Sequence, residues 1–171
     1  MEVYQGGTIA TPTPTPSPTP TPRINAALAT NGGTATASSQ FPSVINIPSL
    51  TNDGVRNWAA GGSWKDNTPD VYPDTLQIDF NSSYSINEVR LYFVRDDFTN
   101  PVDPDETTPA TLYGVTAFDV QYWNGSSWVT LPGASVTNNT KALFKLTFPA
   151  VQTDKIRVVI NNAQANYSRI V

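Results

Sequence analysis

Two residue types are missing from this sequence altogether, and charge is scarce. There is no cysteine, so no disulfide supports the fold, and thiol nucleophiles and thiolate metal sites are excluded. Histidine is absent as well, which removes the commonest zinc ligand and the commonest general base. Charged side chains make up only 14% of the residues, the net charge is −4, and no Lys/Arg run occurs. Nucleic acid and anionic membrane are therefore poor partners on electrostatic grounds. No apolar stretch approaches the ~20 residues of a membrane-spanning helix, so membrane insertion is not expected. Triad and dyad enzymes would lack their base or thiol. Fourteen acids are present, but no motif sets two of them across a cleft as glycoside hydrolysis requires. No Gly-rich phosphate loop opens a helix either. The expectation is a binding module and not an enzyme.

What the chain does contain begins with an alternation. Residues 11–22 read TPTPTPSPTPTP. Proline at every second position fixes φ and removes the backbone donor, so neither helix nor sheet ladder can form there. An extended polyproline rod of ~37 Å is expected. Its hydroxyls (Thr11, Thr13, Thr15, Ser17, Thr19 and Thr21) have the composition of O-glycosylated stalks; an unmodified tether is the plainer alternative. Either way the segment spaces one module from another in a larger, extracellular, secreted or cell-surface protein. Residues 1–10 lack the basic and apolar regions of a signal peptide and read as an unstructured lead-in, any secretion signal lying upstream.

From Arg23 onward, residues 23–171 have the size of one domain and a hydrophobic period of two. Leu76, Ile78 and Phe80 alternate with polar residues; so do Val89, Leu91 and Phe93, then Phe118, Val120 and Tyr122, and Ile156, Val158 and Ile160 resume the same spacing. These short runs, rich in β-branched and aromatic residues and closed by Gly, Pro, Asn or Asp, indicate an all-β domain. Asn124-Gly125 between two such runs predicts a tight hairpin turn with positive φ angles. Residues 57–74 and 96–114 are long irregular connections carrying glycines, prolines and acids. Connections of that length are usually functional, and two of them suggest a ligand-facing end.

The Asn25–Ala29 run, the strands at residues 71–80 and 86–89, the hairpin at 118–128, Lys155-Ile-Arg-Val158 and Tyr167-Ser-Arg-Ile-Val171 together resemble the discoidin, or coagulation factor type C, superfamily. That superfamily includes the family 32 carbohydrate-binding modules. The resemblance spans Arg23 to Val171 and implies an eight-stranded antiparallel jelly-roll β-sandwich of the galactose-binding-domain type. It places the family's acidic pair just after Arg169-Ile170-Val171, beyond this sequence, which would weaken an edge strand.

For function the resemblance implies a non-catalytic carbohydrate-binding module that directs its parent protein to a glycan or polysaccharide. The alternative is an adhesion or structural module contacting protein or matrix through its acidic loops. Arg95 matches the family's sugar-gripping arginine, while Tyr113 stands where an asparagine is usual. Trp64, after Gly61-Gly62-Ser63, is the leading aromatic platform for a pyranose face; Trp58 is expected to be a core plug. Asp66, Asp96 and Asp97 could accept sugar hydroxyls or be solvated loop acids. The resemblance also implies a structural Ca²⁺ at Asp53, with Asn57 standing in for a further ligand; an Asx turn at Asp53 is the metal-free alternative.

Overall fold

The computed structural model describes residues 23–171; the lead-in, the Thr/Ser–Pro segment and its six hydroxyl residues lie outside the described residues. Among the described residues seven strands form: β1 (Thr34–Ala37), β2 (Trp64–Lys65), β3 (Asp74–Tyr92), β4 (Val115–Trp123), β5 (Trp128–Val136), β6 (Leu143–Ala163) and β7 (Arg169–Ile170). One sheet has the order β1-β3-β6-β4-β5, and β2 pairs with β7 in a small second sheet. Every ladder is antiparallel.

The period-two pattern sets the register. Leu76 lies opposite Val158, Ile78 opposite Ile156 and Leu91 opposite Phe144 along the β3–β6 ladder. A slip of one residue would turn all of these apolar side chains to water, so the pairing is strongly specified. The two long strands β3 and β6 run on through register breaks between Asp79/Tyr84 and Ile86/Glu88 instead of stopping there.

That continuous ladder folds over on itself to make the two layers. Phe118 pairs with Ile160, and Phe144 lies sixteen residues earlier on β6. In a flat sheet the two rings would be ~50 Å apart at ~3.3 Å per residue. Their centroids are in fact 5.1 Å apart, and Phe93 is 5.3 Å from Phe118. The core between the layers is Leu76, Phe93, Val115, Phe118, Val120, Leu131, Val158 and Ile160, all buried.

The hairpin forms where expected, with a different turn. Trp123 pairs with Trp128, so the loop has four residues. Among the described residues only Gly125 of this loop has positive φ, at +97°. Asn124 contributes through its side chain, whose Oδ1 accepts from Ser126 N and Ser127 N at 3.0 and 2.9 Å. An Asx-type turn has replaced the two-residue hairpin turn.

Candidate functional site

The two long connections meet at one end of the sandwich. In the first, Asn57 caps a single helical turn, α1 (Trp58–Gly61), by accepting from Ala60 N at 3.0 Å. Its amide nitrogen reaches Asp103 Oδ1 in the second connection, also at 3.0 Å, and Arg56 lies 3.6 Å from the same carboxylate. Rings continue the seam. Trp58 meets Phe98 edge-to-face at 5.0 Å, and Phe98 meets Tyr113 likewise at 5.4 Å. All three rings are partly exposed, and Val102 and Leu112 of the same loop are largely exposed.

The second connection is held by its acids. Asp96 accepts from Thr111 N, Leu112 N and Thr111 Oγ1 at 2.6, 2.8 and 2.8 Å, tying the two ends of the loop together. Asp105 takes hydrogen bonds from Thr107 and Thr108. Asp97 is exposed and holds Thr99 Oγ1 at 3.1 Å. Arg95, at the loop's base, donates from Nη1 to Val102 O at 3.1 Å, while its Nε is buried with no protein partner. The structure thus brings Arg95, Asp96, Asp97 and Tyr113 onto one well-tied loop.

Two of the sequence-named residues do not belong there. Trp64 is fully buried, with Nε1 donating to Ser39 O at 2.8 Å and its backbone paired to Ile170. Gly62, at φ +87° and packed against Ile45 O, turns the chain so that Trp64 points into the core; no sugar can stack on it. Asp66 is also fully buried, accepting from Ser168 N at 2.7 Å and from Thr68 N at 2.8 Å. It joins Asp74, which holds Ser168 Oγ at 2.7 Å; burial, ahead of the neighbouring Asp66 charge, pushes the Asp74 carboxyl up. This is a structural node tying loop to C-terminal segment. Conversely, Trp58 is not a core plug but one rung of the loop stack, and Phe98 is its neighbour. Phe98 was marked in the sequence only by falling within the second long connection.

The residues named for calcium are engaged in local hydrogen bonds. Asp53 Oδ1 accepts from Val55 N at 2.8 Å, an Asx turn, and both ends of the Asn57 amide are engaged as described. Among the described residues no three Asp or Glu side chains cluster as metal ligands.

Two cavities flank this end. An open cleft of about 470 Å³ lies between Arg56, Arg90 and Tyr92 on one side and Asp103, Asp105 and Glu106 on the other. A second, partly enclosed groove of about 380 Å³ shares the Arg56, Arg90 and Tyr92 wall. Neither is lined by Arg95 or Tyr113.

Comparison with known proteins matches residues 51–158 to the family described as F5/F8 type C, NedA-like, galactose-binding domain. No curated protein matches the chain by sequence. Among solved structures, the chain is similar to a family 32 carbohydrate-binding module of Clostridium perfringens in complex with GalNAc-β-1,3-galactose. The two share 17% identity, with 81% of this chain and 90% of that one covered and a TM-score of 0.60. It is also similar to chitosan-binding module 2 of a Paenibacillus chitosanase/glucanase in complex with chitotriose, at 23% identity. There 85% of this chain and 94% of that one are covered, with a TM-score of 0.63. These likenesses establish the fold, and the family match covers well over half of the sequence: the chain belongs to the F5/F8 type C, galactose-binding-like domain family.

Proposed function

We propose that this domain is a non-catalytic carbohydrate-binding module whose site is the loop end carrying Arg95, Phe98 and Tyr113. The observation that supports this most is the Trp58–Phe98–Tyr113 ladder, which supplies partly exposed rings for the apolar face of a pyranose. Arg95, at the base of the same loop, supplies a guanidinium that among the described residues engages Val102 O, and Asp97 supplies an exposed acceptor. The two solved relatives named above were captured with an amino-sugar disaccharide and a chitosan oligomer, so amino-sugar-containing glycans are the first class to screen. The Thr/Ser–Pro segment would then tether the module to an extracellular parent, raising the local concentration of whatever it carries at the glycan surface.

A glycan array followed by calorimetry tests this with the full chain beside Arg95→Ala, Phe98→Ala and Glu106→Ala, in calcium and in chelator. Arg95→Ala and Phe98→Ala are expected to weaken binding about tenfold or more, ~1.4 kcal/mol, without loss of the folded spectrum. Glu106→Ala, in the neighbouring cleft, is expected to leave affinity unchanged, and chelator is expected to change nothing. Loss of binding in Glu106→Ala alone would move the site to the cleft. A blank array from folded protein would overturn the carbohydrate reading.

A further inference from the structure

The outer face of the five-stranded sheet carries a cluster of side chains that the loop end does not use. Val120, Ile156 and Val158 are buried in the core, so the period of two turns Gln121 and Trp123 of β4, and Lys155 and Arg157 of β6, to the other side. Trp128 lies opposite Trp123 in the β4–β5 ladder, and Arg157 lies opposite Gln121. The two indoles meet at 5.6 Å with 66° between their planes. Lys155 Nζ is 5.1 Å from the Trp123 ring centroid, and the Arg157 guanidinium carbon is 4.4 Å from that of Trp128. All four side chains are partly exposed.

The cluster is held in place by its own elements. Thr153 Oγ1 donates to Trp123 O at 2.8 Å, and the Asn124 side chain closes the hairpin between the two indoles. Arg157 Nε donates to Gln121 Oε1 at 2.8 Å, which orients the guanidinium; among the described residues its two Nη groups have no acceptor. Charge bears on what the face can take. Arg23, Arg56, Arg90 and Lys145 each have a carboxylate within ion-pair distance. Among the described residues Lys155 and Arg157 have none. Asp79 lies opposite Lys155 on β3 and accepts from Gln77 Nε2 at 2.9 Å. Its charge offsets part of Lys155 and leaves Arg157 as the main partner for an anion.

A uronic acid matches both features of this face. Its planar carboxylate fits the paired Nη donors of a guanidinium, and the C–H face of its pyranose ring packs on an aromatic ring. We propose that the outer sheet face at Trp123, Trp128, Lys155 and Arg157 is a second glycan site, and that it takes a uronate-bearing polysaccharide. Tyr113 stands just before β4 and Trp123 at its far end, so ~26 Å of strand at ~3.3 Å per residue separates this face from the loop end. The two sites are distinct, and the inference does not depend on the reading of the loop end. The net charge of −4 does not prevent contact with a polyanion. At physiological ionic strength charges beyond ~8 Å are largely screened, and the nearby cations weigh most.

Calorimetric titration of the full chain with polygalacturonate, with its methyl ester and with dextran sulfate provides the test. Polygalacturonate is expected to bind, and Arg157→Gln and Trp128→Ala are each expected to weaken it about tenfold or more. Lys141→Gln removes a positive charge from an exposed position off this face and is expected to bind as the unaltered chain does. The methyl ester keeps the sugar chain but loses its charge, and is expected to bind about tenfold more weakly or worse. Rising salt is expected to weaken polygalacturonate. Because Trp128→Ala also removes hairpin packing, the indole N–H resonances of the unaltered chain give a second reading. Those of Trp123 and Trp128 are expected to shift on titration, while that of buried Trp64 stays in place. No binding of polygalacturonate would overturn the proposal, as would binding indifferent to Arg157→Gln or shifts confined to Trp58. Equal affinity for the methyl ester or for dextran sulfate would overturn the assignment to a uronate.

Discussion

Asp105 is fully exposed, yet its carboxyl is held down at about 2, first by the Thr107 hydroxyl and amide and then by Thr108. These bonds favour the charged form, so the folded state holds the proton more weakly than the unfolded chain does. The resulting stability is complete above the ordinary value of 3.8 and disappears as pH falls through about 2. Asp105→Ala is therefore expected to lower Tm by a few degrees at neutral pH, with the gap to the unaltered chain closing as the solution is acidified toward pH 2. Carboxyl NMR titration reads the same group directly, and a midpoint at the ordinary value would mean that the Thr107 and Thr108 bonds do not persist in solution. The same loop marks a limit of sequence reading. Acids at residues 96–106 looked alike on the page, but Asp96 and Asp105 are consumed in holding the loop, while Asp97 is exposed. Asp66 and Trp64 were misplaced for a related reason. Their partners at Ser168 and Ile170 lie more than a hundred residues downstream, and no local pattern announces a contact of that separation.

At the level of elements, the alternation was a good guide because burial enforces it. The positions that alternate in Leu76–Phe80, Phe118–Tyr122 and Ile156–Ile160 are those that form the ladders and fill the core. The alternation does not say where a strand bends. β3 and β6 pass through their register breaks although Asn81-Ser82-Ser83 and Pro149 stand there as turn-type residues, and the fold-back shows in the contacts of Phe118 with Phe93 and Phe144. Phe118 belongs to β4 yet touches Phe93 and Phe144 from the overlying part of the ladder, so it joins the layers. Removing its ring leaves a void that both layers line. Phe118→Ala is expected to cost about 3–5 kcal/mol, measured as a lower urea midpoint with unchanged slope. A loss near 1 kcal/mol would mean the layers close over the gap, and a changed slope would mean the unfolding is no longer two-state. The two long loops were legible as loops. Their internal order was not, since the α1 turn and the Trp58–Phe98–Tyr113 ladder depend on contacts between the two connections.

Across the whole molecule, two sets of long-range contacts hold different parts of the chain. Asn57, Asp96 and Asp103 tie the two long connections into the loop end, whereas Asp66 and Asp74 hold Ser168 and so fasten the C-terminal segment to the body of the sandwich. Asp66→Asn keeps the size of the side chain but turns one acceptor into a donor that faces Ser168 N or Thr68 N. Leaving such a buried group unpaired costs about 1–3 kcal/mol. The variant is expected to lower Tm by several degrees while the folded protein keeps its affinity for glycan, because none of the Asp66 contacts involves residues 95–113. Thermal unfolding and calorimetry read the two effects separately. An unchanged Tm would mean that the Ser168 contact contributes little to the fold, and a loss of glycan affinity in the folded variant would mean that the loop end depends on the C-terminal fastening.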